Sequence, residues 1–444
     1  MIQDIFPNTF YNEFHSEYSA TEADTMIYMK DGEILIRDEK GICFPKGVDF
    51  PEMYTNSTYL FSIDEERYYL LDCSNTNENV LIPKGFCMYS VRKLRQERRG
   101  PKHLLFASHT AKHIADWYRD TRFCGRCQHP MEKSEKERAM VCPSCKYTSY
   151  PRIMPAVIVG VTNGDKLLVT KYRTGYRDNA LIAGFTEIGE TLEETVQREV
   201  MEETGIRVKN IRYYKSQPWG IANDILTGFF CELDGDDTIV RDENELSYAE
   251  WVSRKDIRLQ PDHNSLTNEM MMVFKMERFE FRDIRQEEIE EAVQIEQICF
   301  PPNEACSPKS MTERIKAAPE LFMVVYDKDA GKIAGFLNGI STNETQFHDE
   351  FFTDIGLYNP DGDWVMLLGL DVRPEYRRQG LAEEIVRQYC LREKKKGRRK
   401  LCLTCLDEKV PMYRKMGFVD NGMANSSWGG EEWHEMTLEI EYEV

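Results

Sequence analysis

The segment GETLEETVQREVMEETGI, residues 189–206, constrains the fold more than any other stretch of this chain. Thr191 and Glu194 have the spacing of a capping box, in which each side chain bonds the backbone N–H of the other residue. Leucine and valine recur at every fourth residue, and Gly205 suits the left-handed turn that ends a helix. The segment therefore predicts a helix that begins near residue 192 and stops at Gly205.

Three glutamates of this predicted helix, Glu199, Glu202 and Glu203, have the spacing i, i+3 and i+4. This spacing places their carboxylates on one face, where like charges repel each other. Divalent cations relieve such repulsion, and Mg²⁺ binds oxygen ligands while it shares its coordination with substrate phosphates. The pattern indicates either a metal site for phosphate chemistry or a solvated acidic face.

Four of the thirteen cysteines form two tight pairs, CGRC and CPSC. CxxC, fourteen residues and CxxC is the spacing of a tetrahedral zinc site. Because four thiolates fill every position, such a zinc ion is structural and has no open position for catalysis. A redox pair or two chance pairs is the alternative. The predicted zinc ligands are Cys124, Cys127, Cys142 and Cys145.

Length and charge bound the organisation of the chain. A chain of 444 residues is too long for one core, and its length predicts about three domains. A net charge of −19 argues against sequence-independent binding of nucleic acid, although it permits a local basic patch. No apolar run approaches the ~18 residues of a membrane span, and we recognise no export signal. With the other cysteines scattered singly, these features predict a cytoplasmic protein in a reducing compartment.

Residues 184–206 carry a longer pattern than the acidic cluster alone. Gly184 is followed by five residues, Glu190, seven residues and then REVMEETGI, which begins at Arg198. This pattern resembles the Nudix box, with every fixed position filled. The resemblance implies an α/β/α sandwich that hydrolyses a nucleoside diphosphate linked to another group.

The same resemblance implies roles for individual residues of the box. Glu199, Glu202 and Glu203 are implied ligands of Mg²⁺ or Mn²⁺, and Glu203 is implied to help activate the attacking water. Such a metal neutralises the charge of the diphosphate and lowers the pKa of water. Glu190 and Arg198 are implied to hold the loop against the helix by an ion pair.

The segments around the box resemble those of the NADH pyrophosphatase family of Nudix hydrolases. The cysteine pairs run directly into YPRIMPAVIV, LIAGFTEIGET leads into the box, and SQPW follows it. The likeness covers about residues 30–262. That family cleaves NADH or NAD⁺ to nicotinamide mononucleotide and AMP, usually as a homodimer. Hydrolysis of coenzyme A or another nucleotide, and removal of NAD caps from RNA, are the alternative functions.

Matching positions in this chain imply further site residues. The implied metal ligands are the Ala183 backbone, Glu199, Glu203 and Glu245. The implied substrate contacts are Arg92, Glu137, Tyr150, Gln217, Pro218 and Trp219. Simple packing of Tyr150, a solvated Glu137 and a plain turn at SQPW are the alternatives.

One segment departs from that family. After Trp219 the family usually continues with Pro-Phe-Pro, whereas residues 220–224 of this chain are GIAND. The missing aromatic and proline residues would line the nicotinamide side of the site. The departure leaves the diphosphate chemistry in place and puts a preference for NADH in question.

The C-terminal third carries a second set of motifs. WVMLLGLDVRPEYRRQGL joins a predicted strand to a helix that begins near Leu381. Residues 377–382 present free backbone amides at that helix N-terminus, which suits a diphosphate. Followed by KLCLTC and VPMYRKMGF, the pattern resembles the GNAT acyltransferases, and CFPPNEACS resembles their serotonin N-acetyltransferase-like branch.

The GNAT resemblance implies acetyl-CoA as co-substrate and an amine as acceptor. Tyr413 is implied to protonate the leaving thiolate. The two histidines that relay the amine proton in that branch are replaced here by Met366 and Leu368, so that activity needs another base or a water chain. The implied coenzyme contacts are Arg377, Arg378, Gln379, Gly380, Leu381 and Ala382.

Together these patterns predict an α/β multidomain chain. The likenesses imply a dinucleotide substrate, acetyl-CoA with an amine, a homodimer, and NAD-capped RNA as an alternative partner. The predicted segments are a β-rich N-terminal domain at 1–117, a zinc ribbon at 118–150, a Nudix α/β/α sandwich at 151–262, a linker at 263–277 and a GNAT α/β domain at 278–444.

Overall fold

The chain folds into two compact units, Met1–Lys275 and Met276–Val444. Each unit encloses hydrophobic cores of its own. Among the described residues, no helix is both long and apolar enough to cross a membrane. The computed structural model describes residues 1–37, 41–51, 53–71, 82–261 and 264–440.

Short strands and two helices build the N-terminal part of the first unit. Its strands are β1 (Phe10–Tyr11), β2 (Thr25–Ile27), β3 (Met29–Lys30), β4 (Glu33–Arg37), β5 (Ser57–Ile63), β6 (Glu66–Leu71) and β7 (Phe86–Ser90). Its helices are α1 (Val91–Gln96) and α2 (Lys102–Asp120). The strands form one sheet in the order β1-β5-β6-β2 and another in the order β3-β4-β7. The predicted β-rich N-terminal region is confirmed.

A small three-stranded sheet follows α2. Its strands are β8 (Glu132–Lys133), β9 (Met140–Val141) and β10 (Thr148–Ser149), in the order β10-β9-β8. Both neighbouring pairs are antiparallel. With so few paired residues, these strands bury little apolar surface, and a bound metal is the expected source of their stability.

The next layer of the first unit is a six-stranded mixed sheet. Its strands are β11 (Met154–Asn163), β12 (Lys166–Tyr172), β13 (Ile182–Phe185), β14 (Val208–Trp219), β15 (Asp224–Leu233) and β16 (Leu246–Ser253). The order is β14-β15-β11-β12-β16, and β13 pairs with β11. β11 and β12 form an antiparallel hairpin, as PAVIVGVT, NGD and KLLVTKY predict.

Two helices cover this sheet, α3 (Leu192–Thr204) and α4 (Leu266–Met276). Alternate residues of β11 point to opposite faces, so that Val157 and Val159 join the core under α3 while Ile158 joins the core under α4. The result is an α/β/α sandwich, as expected for this part of the chain.

The caps of α3 agree with the sequence pattern. The Thr191 hydroxyl accepts the N–H of Glu194 at 3.2 Å, and the Glu194 carboxylate accepts the N–H of Thr191 at 2.7 Å. Gly205 ends the helix with φ 69° and ψ 7°, a left-handed conformation that glycine adopts without strain. The predicted capping box and helix stop are both confirmed.

The linker predicted for residues 263–277 is largely a helix, α4, in the structure. Leu266, Met270 and Phe274 recur every fourth residue and are fully buried in the core of the sandwich. The polar stretch before Leu266 suggested a linker, but the apolar face that follows needs a partner surface. Asp262 and His263 lie outside the described residues.

The second unit is built on one seven-stranded sheet. Its strands are β17 (Phe279–Asp283), β18 (Phe322–Asp327), β19 (Lys332–Thr342), β20 (Trp364–Val372), β21 (Lys400–Cys405), β22 (Val419–Met423) and β23 (His434–Glu439). Their order is β17-β18-β19-β20-β21-β23-β22. The helices are α5 (Ile289–Cys299), α6 (Pro308–Ala317), α7 (Leu381–Lys395) and α8 (Val410–Lys415).

β20 and β21 are parallel, whereas the other neighbouring strands of this sheet are antiparallel. Their pairing runs only from Trp364 opposite Lys400 to Met366 opposite Cys402. Beyond Met366 the two strands are no longer paired, although each continues for several residues. The unpaired ends leave backbone hydrogen-bonding groups facing the space between them.

The start of α4 is anchored by Gln217, at the end of β14. The side chain of Gln217 is fully buried. Its Oε1 accepts the N–H of Leu266 at 2.7 Å, and its Nε2 donates to the carbonyl of Asn264 at 2.7 Å. The predicted role of Gln217 as a substrate contact finds no support here, because both ends of its amide are occupied inside the fold.

We predict that Gln217→Leu lowers the free energy of unfolding by ~1–3 kcal/mol, because the buried N–H of Leu266 loses its acceptor. Chemical denaturation measures this loss, and Gln197→Leu, on an exposed position of α3, is the matched control. Unchanged stability together with a clearly raised KM for the dinucleotide would instead restore the substrate role of Gln217.

Candidate functional site

The acidic face of α3 contains one deeply buried carboxylate, Glu203. Its side chain is 2% exposed, and neither carboxylate oxygen has a hydrogen-bond partner among the described residues. Burial, together with the negative charges of Glu245 and Glu199, raises the pKa of Glu203 to about 8. An unpartnered buried carboxylate is costly, and a divalent cation with oxygen ligands would satisfy it. The residues present therefore fit a Mg²⁺ or Mn²⁺ ion.

Arg198 joins the loop before α3 to the helix. Its guanidinium forms ion pairs with Glu190 at 2.6 Å and Glu199 at 2.7 Å, and it donates to the carbonyl of Phe185 at 2.9 Å. The hydrogen bond from Arg198 lowers the pKa of Glu190 to about 2. The predicted ion pair of Glu190 and Arg198 is present. Glu202 lies at the exposed rim, 60% exposed, and pairs with Arg198 at 3.1 Å.

Gly184 brings β13 against the carboxylate of Glu199. A Cβ atom at Gly184 would lie 2.0 Å from that carboxylate, so any other residue there would displace the Glu199 side chain. Ala183, the implied backbone ligand, is therefore next to the residue that contacts Glu199. Burial raises the pKa of Glu199 as well, with Arg198 opposing the shift. The loop of the box thus packs directly against its helix.

Glu245 lies on the exposed loop that precedes β16, where its carbonyl accepts the N–H of Arg173 at 2.8 Å. Its charge acts on both Glu199 and Glu203. Within the described part of the chain, however, the carboxylates of the box do not come within 4.8 Å of one another as a compact ligand set. Their arrangement is that of neighbouring acids that a cation can draw together.

The four ribbon cysteines do form a compact ligand set. Their Sγ atoms all lie within 4.8 Å of one another. The N–H of Cys145 donates to the Cys142 Sγ at 3.4 Å and lowers the pKa of that thiol to about 6, which favours the thiolate. The N–H of Arg126 donates to the Cys124 Sγ at 3.4 Å. The predicted metal cluster of Cys124, Cys127, Cys142 and Cys145 is assembled in the structure.

Two of the implied substrate contacts, Tyr150 and Glu137, lie next to each other in the structure. The hydroxyl of Tyr150 donates to the Glu137 carboxylate at 2.9 Å, and both side chains are exposed. A packing role for Tyr150 is therefore wrong, since 54% of the residue is exposed. Arg92 is exposed on α1, and Pro218 is exposed at the end of β14.

Trp219 has a cationic neighbour. The guanidinium of Arg95, on α1, lies over its ring at 4.6 Å from the centroid, and the ring of His109 meets it edge-on at 6.0 Å. Arg92 is the arginine that the family resemblance implies, whereas Arg95, on the same short helix, is the one that lies over the tryptophan. The signal was available as the basic run RKLRQERR, but it does not tell which arginine reaches the tryptophan.

The segment that replaces Pro-Phe-Pro packs on α2. A Cβ atom at Gly220 would lie 2.1 Å from the carbonyl oxygen of His109, so only glycine allows this approach. The ammonium group of Lys112 donates to the carbonyls of Gly220 and Ile221, each at 3.3 Å, and to Asp116 at 2.7 Å. Backbone contacts hold this segment in place of proline rings.

The second unit contains a cavity of about 800 Å³ where β20 and β21 diverge. Leu368, Thr404 and Tyr413 are among the residues that line it, and so is most of the loop at residues 377–382. Gly380 takes a left-handed φ of 81° directly before α7 begins at Leu381, as predicted. The N-terminal amides of α7 thus face a cavity of suitable size for a coenzyme.

Tyr413 reaches this cavity from α8. It is half-buried, and its ring meets Phe418 edge-on at 5.6 Å. Burial raises the pKa of its phenol, so that the group keeps its proton at neutral pH. Met366 is fully buried in the apolar core beside the cavity, and Leu368 is 8% exposed at the cavity wall. Neither side chain can relay a proton.

Three family models match the chain: NUDIX domain at residues 152–274, NADH pyrophosphatase zinc ribbon domain at 119–150, and Acetyltransferase (GNAT) family at 289–418. The NAD-capped RNA hydrolase NudC of Klebsiella pneumoniae is 42% identical over 36% of this chain and 62% of its own. The NudC of Salmonella typhimurium is 38% identical over 43% of this chain and 74% of its own. The chain belongs to the NudC family of zinc-ribbon Nudix hydrolases.

A GNAT domain follows the NudC-like part, which confirms both resemblances drawn from the sequence. The serotonin N-acetyltransferase-like branch stays a prediction. The chain spans 62% of the length of the first NudC relatives that it matches. A crystal structure of a Nudix hydrolase from Nitrosomonas europaea aligns with 31% of this chain and 80% of its own, at 23% identity and a TM-score of 0.28.

For this NudC-family ribbon we predict about one tightly bound zinc ion per chain, measured by elemental analysis of protein purified without chelator. Cys145→Ser removes a ligand, so it should lose most of that zinc and make the ribbon sensitive to protease. Cys43→Ser, at an exposed cysteine outside the ribbon, is the control and should keep both. A parent protein without zinc contradicts the prediction.

Proposed function

We propose that this chain is a bifunctional enzyme. Its Nudix part hydrolyses the diphosphate of NADH or NAD⁺ to nicotinamide mononucleotide and AMP, and its GNAT part transfers an acetyl group from acetyl-CoA to a small amine. The observation that carries the first activity is the buried, unpartnered carboxylate of Glu203 beside Glu199 and Glu245. A homodimer and a cytoplasmic location belong to the same proposal.

Mg²⁺ or Mn²⁺ is the proposed metal of the Nudix site. Glu199, Glu203, Glu245 and the Ala183 carbonyl would hold it. When bound, the ion neutralises diphosphate charge and lowers the pKa of water. Arg198 keeps the loop and the helix in register, so that Glu199 and Glu203 face the same space. We place Glu202 at the rim of the metal site, because it is exposed and paired with Arg198.

We propose that Trp219, Glu137 and Tyr150 contact the substrate. A flat aromatic ring such as Trp219 suits stacking on a base, and the Arg95 guanidinium on it adds positive charge near a diphosphate. The hydrogen bond from Tyr150 to Glu137 fixes the direction of the carboxylate. These are general features of a dinucleotide site and do not select nicotinamide.

NAD-capped RNA is the second candidate substrate, because the NudC relatives carry that activity in their names. The net charge of −19 disfavours extended contacts with RNA phosphates. Mass spectrometry of products from NADH, NAD⁺, coenzyme A and an NAD-capped RNA, each with Mg²⁺, ranks the substrates. Cleavage of the cap that weakens steeply with salt favours the RNA function.

Glu203→Gln should lower diphosphate hydrolysis by ~10²-fold or more, because it removes the buried charge proposed to hold the metal. Acetylation by the same protein should be unchanged. Turnover of NADH with Mg²⁺ measures the effect, and Glu193→Gln, an exposed glutamate of the same helix, is the control. Near-parental hydrolysis by the Glu203 variant would overturn the assignment of the Nudix site.

The proposed acetyl-CoA site is the cavity between β20 and β21. The backbone amides of residues 377–382 would bind the diphosphate of the coenzyme, since they lie at the N-terminus of α7. Tyr413 would protonate the leaving thiolate, since its phenol stays protonated at neutral pH and lines the same cavity. The apolar wall at Leu368 suits the acyl chain.

Tyr413→Phe should reduce acetylation by roughly 10- to 10³-fold with little change in acetyl-CoA affinity, because only a proton donor of the transition state is removed. Thiol release with a panel of arylalkylamines and polyamines measures turnover, and calorimetry measures affinity. Tyr326→Phe, on β18 outside the cavity, is the control. Equal acetylation by parent and Tyr413 variant shows a purely structural tyrosine.

A further inference from the structure

Two buried carboxyl groups lie beneath the wall of the GNAT cavity. Glu296 on α5 is 3% exposed and Asp371 on β20 is fully buried. Neither oxygen of Asp371 accepts a hydrogen bond from an N–H or hydroxyl donor among the described residues, and the same is true of Glu296 Oε2; the two carboxyl groups interact with each other, and Asp371 also with the Cys299 thiol. Glu296 Oε1 accepts the N–H of Cys306 at 2.8 Å, which fixes the direction of that carboxyl group. Burying two carboxyl groups with so few donors is costly to the stability of the fold.

Gly369 opens the space between these acids and the cavity. A Cβ atom at Gly369 would lie 3.1 Å from Asp371 Oδ2 and 3.4 Å from Glu296 Oε2. Asn338 Nδ2 lies at 2.8 Å from the same position, so the amide and the two carboxyl groups surround the space that glycine leaves vacant. Gly369 and Glu296 both line the cavity, so a small polar group that enters there can reach the two oxygens.

The charges around the pair allow it to hold one negative charge. Arg314 on α6 is 3% exposed, and its charge favours the ionised form of Glu296. Burial raises the pKa of Glu296 and raises that of Asp371 well above its usual range; the Glu296 carboxyl raises the pKa of Asp371 further, whereas the hydrogen bond with Asp371 lowers that of Glu296. The titratable or charged groups that act on the pair from the surrounding elements are Cys299, Cys306, Arg314, Arg377 and Tyr413.

We propose that Glu296 and Asp371 together bind the ammonium group of the amine substrate and accept its proton. The proposal rests on the acetyltransferase function proposed above, and it names the base that Met366 and Leu368 cannot supply. Two close carboxyls with a single charge between them attract a primary ammonium group and then take up its proton. The substrate class is a small primary amine that enters as a cation.

The step balances as follows. One ammonium proton passes to the carboxyl pair, and the neutral nitrogen attacks the acetyl carbonyl to form the C–N bond. The C–S bond breaks, the Tyr413 phenol gives its proton to the sulfur, and the second proton lost by the nitrogen restores the phenol. The pair later releases its proton to solvent. An amine cation and acetyl-CoA thus give an amide, a thiol and one free proton, with no oxidant or further reactant.

The test compares Asp371→Asn, Glu296→Gln and the parent. Both variants keep the shape of the side chain and remove an acid, so kcat/KM for the best amine should fall by about 10²-fold. Acetyl-CoA affinity by calorimetry and hydrolysis of the dinucleotide should stay at parental values. Glu290→Gln, an exposed acid on the same helix as Glu296 and outside the cavity lining, is the matched control and should acetylate normally.

Two further readouts separate a catalytic role from a structural one. In Glu296→Gln the acidic limb of the pH–rate profile should move to lower pH, because the neighbouring charge that raises the pKa of Asp371 is gone. The melting temperature of Asp371→Asn should equal or exceed that of the parent, because an unpartnered buried acid is removed. A variant that melts earlier and loses acetyl-CoA affinity indicates structural acids and overturns the proposal.

The experiment distinguishes failure of the acetyltransferase function from failure of the carboxyl pair as its proton acceptor. If the parent acetylates amines and both acid variants match it in kcat/KM, the carboxyl pair is not the proton acceptor, and the acetyltransferase function stands. If the parent binds acetyl-CoA and acetylates no amine of the panel, the acetyltransferase function falls and the proton acceptor falls with it.

Discussion

The Nudix site depends on one guanidinium group, that of Arg198. It binds Glu190 in the loop and Glu199 on the helix, and it also bonds the carbonyl of Phe185. Without a cation at this point, the acids of the box would repel each other and the loop would leave the helix. Arg198 neutralises the loop and the rim, whereas the buried acid Glu203 is left without a cationic partner, which a metal ion would supply. The same interaction thus stabilises the fold and prepares the site.

Both units place an unpartnered acid in a dry environment, Glu203 in the first and Asp371 in the second. Burial raises the pKa of each, which is a cost to folding at neutral pH. Structural ion pairs do not have this character, since their partners satisfy them. Glycine opens space beside each acidic cluster, Gly184 at Glu199 and Gly369 at Asp371. The two sites therefore share a design, in which a residue without a side chain lets an acid approach the reacting space.

Local patterns were sufficient for the elements that local chemistry controls. The capping box at Thr191, the stop at Gly205 and the cysteine cluster follow from spacing alone. The structural role of Gln217 could not be predicted from the sequence, because its partner, the N–H of Leu266, lies 49 residues away. Glu296 and Asp371 were missed for the same reason, since a single acid in the strand LLGLDV shows no partner in the sequence. The helix at 266–276 was not predicted, because the polar stretch before it suggested a linker.

The replacement of Pro-Phe-Pro shows how the same tryptophan can be positioned by other means. Gly220 packs its backbone on the carbonyl of His109, and Lys112 ties the following carbonyls to α2. Trp219 is thereby fixed by the N-terminal part of the unit, with Arg95 over its ring, and no proline is needed to stiffen the chain. What this exchange removes is an aromatic wall on one side of the site. The proposed diphosphate hydrolysis relies on α3, which this exchange does not touch, so we expect substrate choice and bond cleavage to depend on different parts of the unit.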